Sequence, residues 1–277
     1  MSGLTAFPSS SLVNRAAAYL EAGPASSVAL VRDVLGLGAT PRGLAARIAQ
    51  ALVGGDPRVT QTPEGRWTLA MAGTAAASPT LDACRFAVVD VETTGTSARA
   101  GGRIVEIAVV ALEASGPRVA FQSLVNPGVP LPPFVSRLTG ISDAAVRGAP
   151  RFEEIADAVL ASLTGAVFVA HSVRFDWGFV AAELERTRGL LLQGPRICTV
   201  RLARHLLPPL DALNLDSLAD FLGITIEGRH RAAGDAVATA RILGRMLAIA
   251  RERGALTMAD LVAMRNAESG MRTGRQA

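Results

Sequence analysis

The sequence predicts an α/β protein in which a mixed sheet is flanked by helices and a small helical domain precedes it. Three observations carry this. Before residue 55 apolar residues recur three times at helical spacing, and they then alternate with polar ones across a short turn. The stretch AMAGTAAASPT, residues 70 to 80, is small, uncharged and without periodicity, as a linker is. Beyond it three consecutive apolar runs give way to helical stretches alternating with short strands, the pattern of a mixed sheet covered by helices. A chain of 277 residues has the length for this arrangement and for a sizeable core.

In the first domain, residues 1–72, SSLVNRAAAYLEA, SSVALVRDVLGL and PRGLAARIAQALVG read as helices, the second and third opening on Ser or Pro start signals. PRVTQTPEGRWTLA reads as a hairpin around its PEG turn. Three helices closed by a hairpin resemble a winged helix-turn-helix. Arg32, Arg42, Arg47, Arg58 and Arg66 give it a thin basic surface, suited about equally to phosphates and to a protein partner. Trp67, with Leu69 on the same face of the hairpin, reads as core. A linker over 73–83 leads to the second domain, residues 84–252. There FAVVDVE, RIVEIAVVALE and RVAFQSLV read as successive strands, AVFVAH and RICT as a fourth and fifth. FEEIADAVLASL, RFDWGFVAAELERT, LDSLADFLG and AAGDAVATARILGRMLAIARERG read as helices. Residues 253–277 hold one weakly amphipathic turn and a basic end, and fraying is expected there.

Composition narrows the function. No run of eighteen uncharged apolar residues appears, so no membrane span is expected, and the N-terminus lacks the basic and apolar regions of a secretory signal. Two cysteines, Cys84 and Cys198, fit a reducing cytoplasm and read as small apolar fillers. The formal net charge of +4, carried by arginine without lysine, is compatible with a nucleic-acid partner.

The chemistry starts at FAVVDVETTG, residues 86 to 95. A strand alternates its side chains, so Asp90 and Glu92 point to one face, about 7 Å apart along the chain. Two carboxylates held so close on a buried strand repel each other unless a cation sits between them. A metal with hard oxygen ligands is therefore expected, and two further places offer them. Asp176 lies just inside a helix after an apolar strand, among Phe175, Trp177 and Phe179, and Asp235 opens a helix five residues after His230.

D-x-E-T-T-G on a first strand, A-H-x-x-x-F-D on a strand-to-helix turn and H-x4-D opening a last helix resemble the three motifs of the DEDDh exonucleases, the DnaQ-like 3′→5′ exonuclease family. The resemblance runs from about residue 84 to 252, and LTGIS at 138–142 is similar to the family's segment between the first two motifs. Each acid alone has an ordinary reading, as a solvated residue or a helix N-terminal charge. All of them together, in the family's order, outweigh it.

The resemblance implies an RNase H-like sheet and a site for two divalent ions, Mg²⁺ with Mn²⁺ as substitute, held by Asp90, Glu92, Asp176 and Asp235. It makes His230 the general base toward the attacking water, with a nucleoside 5′-monophosphate as product. The branch with tyrosine in the third motif does not fit, since the one tyrosine is Tyr19. Thr93, Thr94 and Gly95 would contact the 3′-terminal nucleotide, and Leu138, Thr139 and Phe175 would border its base. His171 would be a substrate or structural contact; Ser172 after it departs from the family's asparagine. Glu106 reads as structural rather than as a ligand. The implied partner is nucleic acid with a single-stranded or frayed 3′ end, DNA rather than RNA, in repair and end processing or beside a polymerase in proofreading. Two alternatives stay open: an exoribonuclease trimming RNA 3′ ends, and a non-catalytic winged-helix binding or adaptor protein with a retained nuclease fold.

Overall fold

A computed structural model describes residues 3–9, 11–56, 58–70 and 78–267, with side chains to residue 264. Residues 73–77 of the expected linker and the end of the chain beyond 267 lie outside these. In chain order the elements are β1 (Thr5–Pro8), α1 (Leu12–Leu20), α2 (Ser27–Leu35), α3 (Arg42–Val53), β2 (Val59–Gln61), β3 (Trp67–Leu69), β4 (Phe86–Thr93), β5 (Ile104–Glu113) and β6 (Gly116–Leu124). There follow α4 (Pro133–Thr139), α5 (Asp143–Arg147), α6 (Phe152–Leu163), β7 (Val167–Ala170), α7 (Val173–Arg188), β8 (Leu190–Gln193) and β9 (Arg196–Cys198). The last described elements are α8 (Thr199–Leu206), α9 (Leu215–Phe221), α10 (Ala232–Glu252) and α11 (Met258–Ala267).

Two compact units result, one over Ala6–Ala77 and Gly189–Gln193, the other over Met1–Thr5, Ser78–Arg188 and Gly194–Ala277, as far as the described residues define them. In the smaller unit Ser11 and Ser26 cap α1 and α2, their hydroxyls accepting from the N–H groups of Asn14 and Ala29. Alanines 16, 45 and 49 and Val53 are fully buried, and such small side chains let the three helices approach closely. Trp67 is buried among them and donates from Nε1 to the Ser27 hydroxyl at 3.0 Å. The basic surface is thinner than expected, because Arg32 is tied to Asp33 and Arg58 to Asp56. The strand β8, which pairs with β1, had no counterpart among the expected elements.

The larger unit is built on a five-stranded sheet of order β6-β5-β4-β7-β9. The meander β4–β5–β6 is antiparallel, and β7 and β9 add in parallel. This is the expected mixed sheet flanked by helices. Alternation sends Phe86, Val88, Val167 and Val169 to one face, where α8 to α11 cover them. Phe168 points the other way and meets Trp177 of α7 edge-on, ring centroids 5.2 Å apart. The long α10, rich in buried alanine, crosses β4, β5 and β6. Two short helices, α4 and α5, were not legible beforehand. The expectation of fraying from about Gly254 is corrected for α11, where Leu261 is 4% exposed and Met258 and Met264 pack on the same core.

Candidate active site

The site is built where β4 outruns its neighbour. Phe86 and Val88 point into the core, and two and four residues on Asp90 and Glu92 rise on that same face. β7 pairs with β4 only as far as Val88↔Val169, and then the chain turns into α7. The edge of β4 beyond that point needs another acceptor, and Asp176 in the first turn of α7 accepts from the Val91 N–H at 3.3 Å. The fourth acid comes from α10, whose start is pinned to the sheet. Glu106, the cross-strand partner of Glu92, accepts from Arg231 at 2.7 and 3.0 Å and from the Ala232 N–H at 3.0 Å. Asp235 follows one turn later. A Cβ at Gly234 would stand 2.2 Å from the Glu227 carbonyl, so the approach of the 227–230 turn to α10 requires glycine there.

Oxygens of Asp90, Glu92 and Asp235 come within 4.8 Å of one another. Three of the four acids singled out in the sequence thus converge, and the fourth, Asp176, is held against the strand between Asp90 and Glu92. Asp235 Oδ1 is buried without a hydrogen-bond partner. A carboxylate oxygen orphaned beside two further acids fits a divalent cation.

The electrostatics agree. Burial pushes Asp90 well above the usual carboxylate range, and Asp176, Asp235 and Glu92 raise it further. Burial lifts Glu92 to about 8, with Asp235 and Glu106 adding to it, and lifts Asp176 to about 7. Asp235 is also raised by burial, although Arg229 offsets part of that. Each of the four acids therefore holds its proton more readily than a free carboxyl does.

His230 stands beside Asp235. It is the one non-glycine residue with a left-handed backbone among those described, φ 61°, and its N–H donates to Asp235 Oδ2 at 3.3 Å. Arg229 was missed in the sequence. Its guanidinium bonds Asp216 of α9 at 2.8 and 3.1 Å, also donates to Asp235 Oδ2, and lies 3.2 Å from His230 Nδ1. The only signal was its place next to the histidine. Also missed was Glu183, buried on α7 and paired with Arg103 and Arg186. Its spacing of seven from Asp176 puts both on one helix face, and that could have been noticed.

Most of the other residues expected at the site have identifiable local partners. The Thr93 hydroxyl donates to the Gly95 carbonyl at 2.6 Å, and the Thr94 hydroxyl accepts from the Arg103 N–H at 2.9 Å. Gly95 has no left-handed backbone, and nothing lies within 4 Å of where its Cβ would stand. His171 Nδ1 is 3.0 Å from the Thr199 hydroxyl, and burial lowers its pKa to about 4. Phe175 lies against Phe179, centroids 5.0 Å apart. Leu138 and Thr139 sit on α4, a separate element; Leu138 is 52% exposed, whereas Thr139 is buried and donates to the Val135 carbonyl at 2.9 Å. Gly140 ends that helix with φ 70°, and Ser142 caps the next, which gives LTGIS a local structural reason.

Known proteins are similar to this chain. Against the 3′-5′ exonuclease DinG of Bacillus subtilis (strain 168) the chain is 39% identical over 158 residues, 57% of this chain and 17% of that protein. The chain thus spans under a fifth of that longer relative. Against the DNA polymerase III subunit epsilon of Aquifex aeolicus (strain VF5) it is 33% identical over 162 residues, 58% of this chain and 80% of the relative. A solved structure described as Exonuclease X in complex with 5′ overhanging duplex DNA superposes with a TM-score of 0.51 and 25% identity, over 66% of this chain and 99% of that one. The family model RNase_T, described as exonuclease, matches residues 87–243. That interval is more than half of the chain and holds every acid of the cluster, and the chain belongs to this exonuclease family, as its DnaQ-like motifs implied.

Proposed function

We propose that this protein is a metal-dependent 3′→5′ exonuclease that releases nucleoside 5′-monophosphates from the 3′ end of DNA. The observation that carries the reading is the convergence of Asp90, Glu92 and Asp235 within 4.8 Å, with Asp176 and His230 beside them. The four carboxylates would hold two Mg²⁺, and Mn²⁺ would serve as well, since carboxylate ligands suit both. When bound, such ions stabilise the charge that develops at phosphorus and ease deprotonation of water. His230, on its strained turn, accepts the proton of the attacking water. Thr93 and Thr94 shape the turn after β4 through their own hydroxyl bonds, and the open space at Gly95 leaves backbone accessible to a terminal nucleotide. Exposed Leu138 and the Phe175 ring offer apolar surface to its base, and His171 ties the end of β7 to the start of α8 through Thr199.

DNA rather than RNA is favoured by the relatives, among them an epsilon subunit and an exonuclease solved with duplex DNA. A role in repair or end processing is our first reading, since the residue 6–77 unit, which we take as winged-helix-like, suits a protein with its own docking module; proofreading beside a polymerase is the other. The test uses a 5′-labelled single-stranded oligonucleotide, made as DNA and as RNA, with Mg²⁺ or EDTA. A ladder shortening from the 3′ end with Mg²⁺, faster on DNA and absent with Asp235→Ala, is expected. If neither oligonucleotide shortens with Mg²⁺ or Mn²⁺, the adaptor reading takes its place.

A further inference from the structure

The exonuclease reading leaves one charged group at the site without a task. Arg229 reaches into the carboxylate cluster from the turn before α10, and its donors are nearly all used. Nε and Nη2 hold Asp216, while Nη1 donates to Asp235 Oδ2 and touches His230 Nδ1 at 3.2 Å. We propose that Arg229, anchored by Asp216, is a built-in cation that competes with the divalent metal for Asp235.

The claim on the metal follows from the two oxygens of one carboxylate. Asp235 Oδ2 carries Arg229, whereas Oδ1 is buried and bare, so half of this ligand is already committed to a cation. A divalent ion entering among Asp90, Glu92 and Asp235 meets a fixed positive charge on the same carboxylate, and it must overcome that repulsion or move the guanidinium aside. The next cation along, Arg231, does not share the task, because Glu106 engages it through both carboxylate oxygens. Asp216 lies on α9, so Arg229 released from Asp235 stays tethered close to the site.

The proposal rests on the metal-binding part of the exonuclease reading, not on the role of His230.

The experiment titrates Mn²⁺ into the metal-free full chain without nucleic acid, following free Mn²⁺ by electron paramagnetic resonance, for the wild type, Arg229→Gln, Arg229→Lys and Asp90→Asn. With a competing charge removed, Arg229→Gln should bind Mn²⁺ at least about threefold more tightly than the wild type at low salt. Arg229→Lys keeps the charge but loses the fork that bridges Asp216 and Asp235, so its affinity should fall between the two. A merely structural arginine would give the opposite sign, because loosening the turn would weaken the site. Affinity equal to or below the wild type in Arg229→Gln overturns the proposal, and Arg229→Lys decides in the same way should the glutamine variant not fold. Asp90→Asn should weaken binding; if it does not, the metal site itself is wrong and this proposal falls with it. A wild type that binds Mn²⁺ as expected but cleaves nothing would sink the exonuclease reading alone.

Discussion

The larger unit holds two sets of buried acids that are near twins in position and opposite in circumstance. Glu183 lies two helical turns after Asp176 on α7, and Glu106 stands opposite Glu92 across β4 and β5. Glu183 and Glu106 are 3% and 7% exposed, as deep as Asp176 at 4%. Each of the first two faces an arginine fork, Arg103 in one case and Arg231 in the other. Among the described residues none forms such a fork with Asp90, Glu92 or Asp176, and Asp235 has an arginine on a single oxygen. Burial therefore does not separate structural acids from the proposed metal ligands. The counter-ion does: where the fold supplies it the acid holds elements together, and where it does not the acids are left for an external cation.

The largest effect should come from the uncompensated set. Asp90→Asn or Asp176→Asn removes a hard ligand while keeping the shape, and exonuclease activity should fall by at least about a thousandfold, since charge stabilisation at the reacting centre is the main catalytic term. At pH 8 the same variants, free of metal, should melt no lower than the wild type, because an amide of the same shape escapes the burial penalty that the uncompensated carboxyl bears on ionising. A clear drop in melting temperature would place these acids with the structural pair.

The compensated set should behave in the reverse way. Glu183→Ala leaves the Arg103 guanidinium, a quarter exposed, without its partner and should cost about 3 kcal/mol of stability. Arg103 also fixes the turn after β4 through both backbone groups of its contact with Thr94, so a raised KM should accompany the loss. Glu106→Gln should cost less, about 1–2 kcal/mol, because Arg231 is nearly half exposed and water can replace part of the pair. Chemical denaturation measures both. A Glu106 variant that loses metal binding yet keeps its stability would show that this acid belongs with the ligands.

The comparison also shows what the sequence could disclose. The strands announced themselves because FAVVDVE and RIVEIAVVALE keep apolar runs of strand length, and α10 did because its apolar face persists over 21 residues. Asp90, Glu92, Asp176, Asp235 and His230 were legible as motifs. The pairing of Glu106 with Arg231 spans 125 positions and that of Arg103 with Glu183 spans 80, so no local pattern could reveal which acid had a cation. Arg229 stood in plain view beside His230, but its partner Asp216 lies 13 residues away on another helix. Short α4 and α5 follow a proline-rich stretch, and seven or five residues hold too little periodicity to register. In α11 only Leu261 and two methionines mark the buried face, too sparse a pattern to outweigh the Gly and Arg around it.

The test that probes the division most directly is the drift of stability with pH in the metal-free protein. Glu92 has its pKa raised from an ordinary 4.5 to about 8, first by burial and then by Asp235 and Glu106. Between those values the folded chain keeps a proton that the unfolded chain has released, so stability declines as pH rises from about 4.5 to 8 and this group adds no further loss above that. Asp176, raised from 3.8 to about 7, acts with the same sign over a lower window. In EDTA the melting temperature should therefore fall between pH 5 and 8, and Mg²⁺ should restore it by more at pH 8 than at pH 6, since the ions stabilise the ionised form. Glu92→Gln removes its share of the slope, because an amide has no proton to release. A metal-free slope that the substitution leaves unchanged would mean that Glu92 ionises as freely in the fold as in water, and that the cluster is no more short of a cation than the acids that already have one.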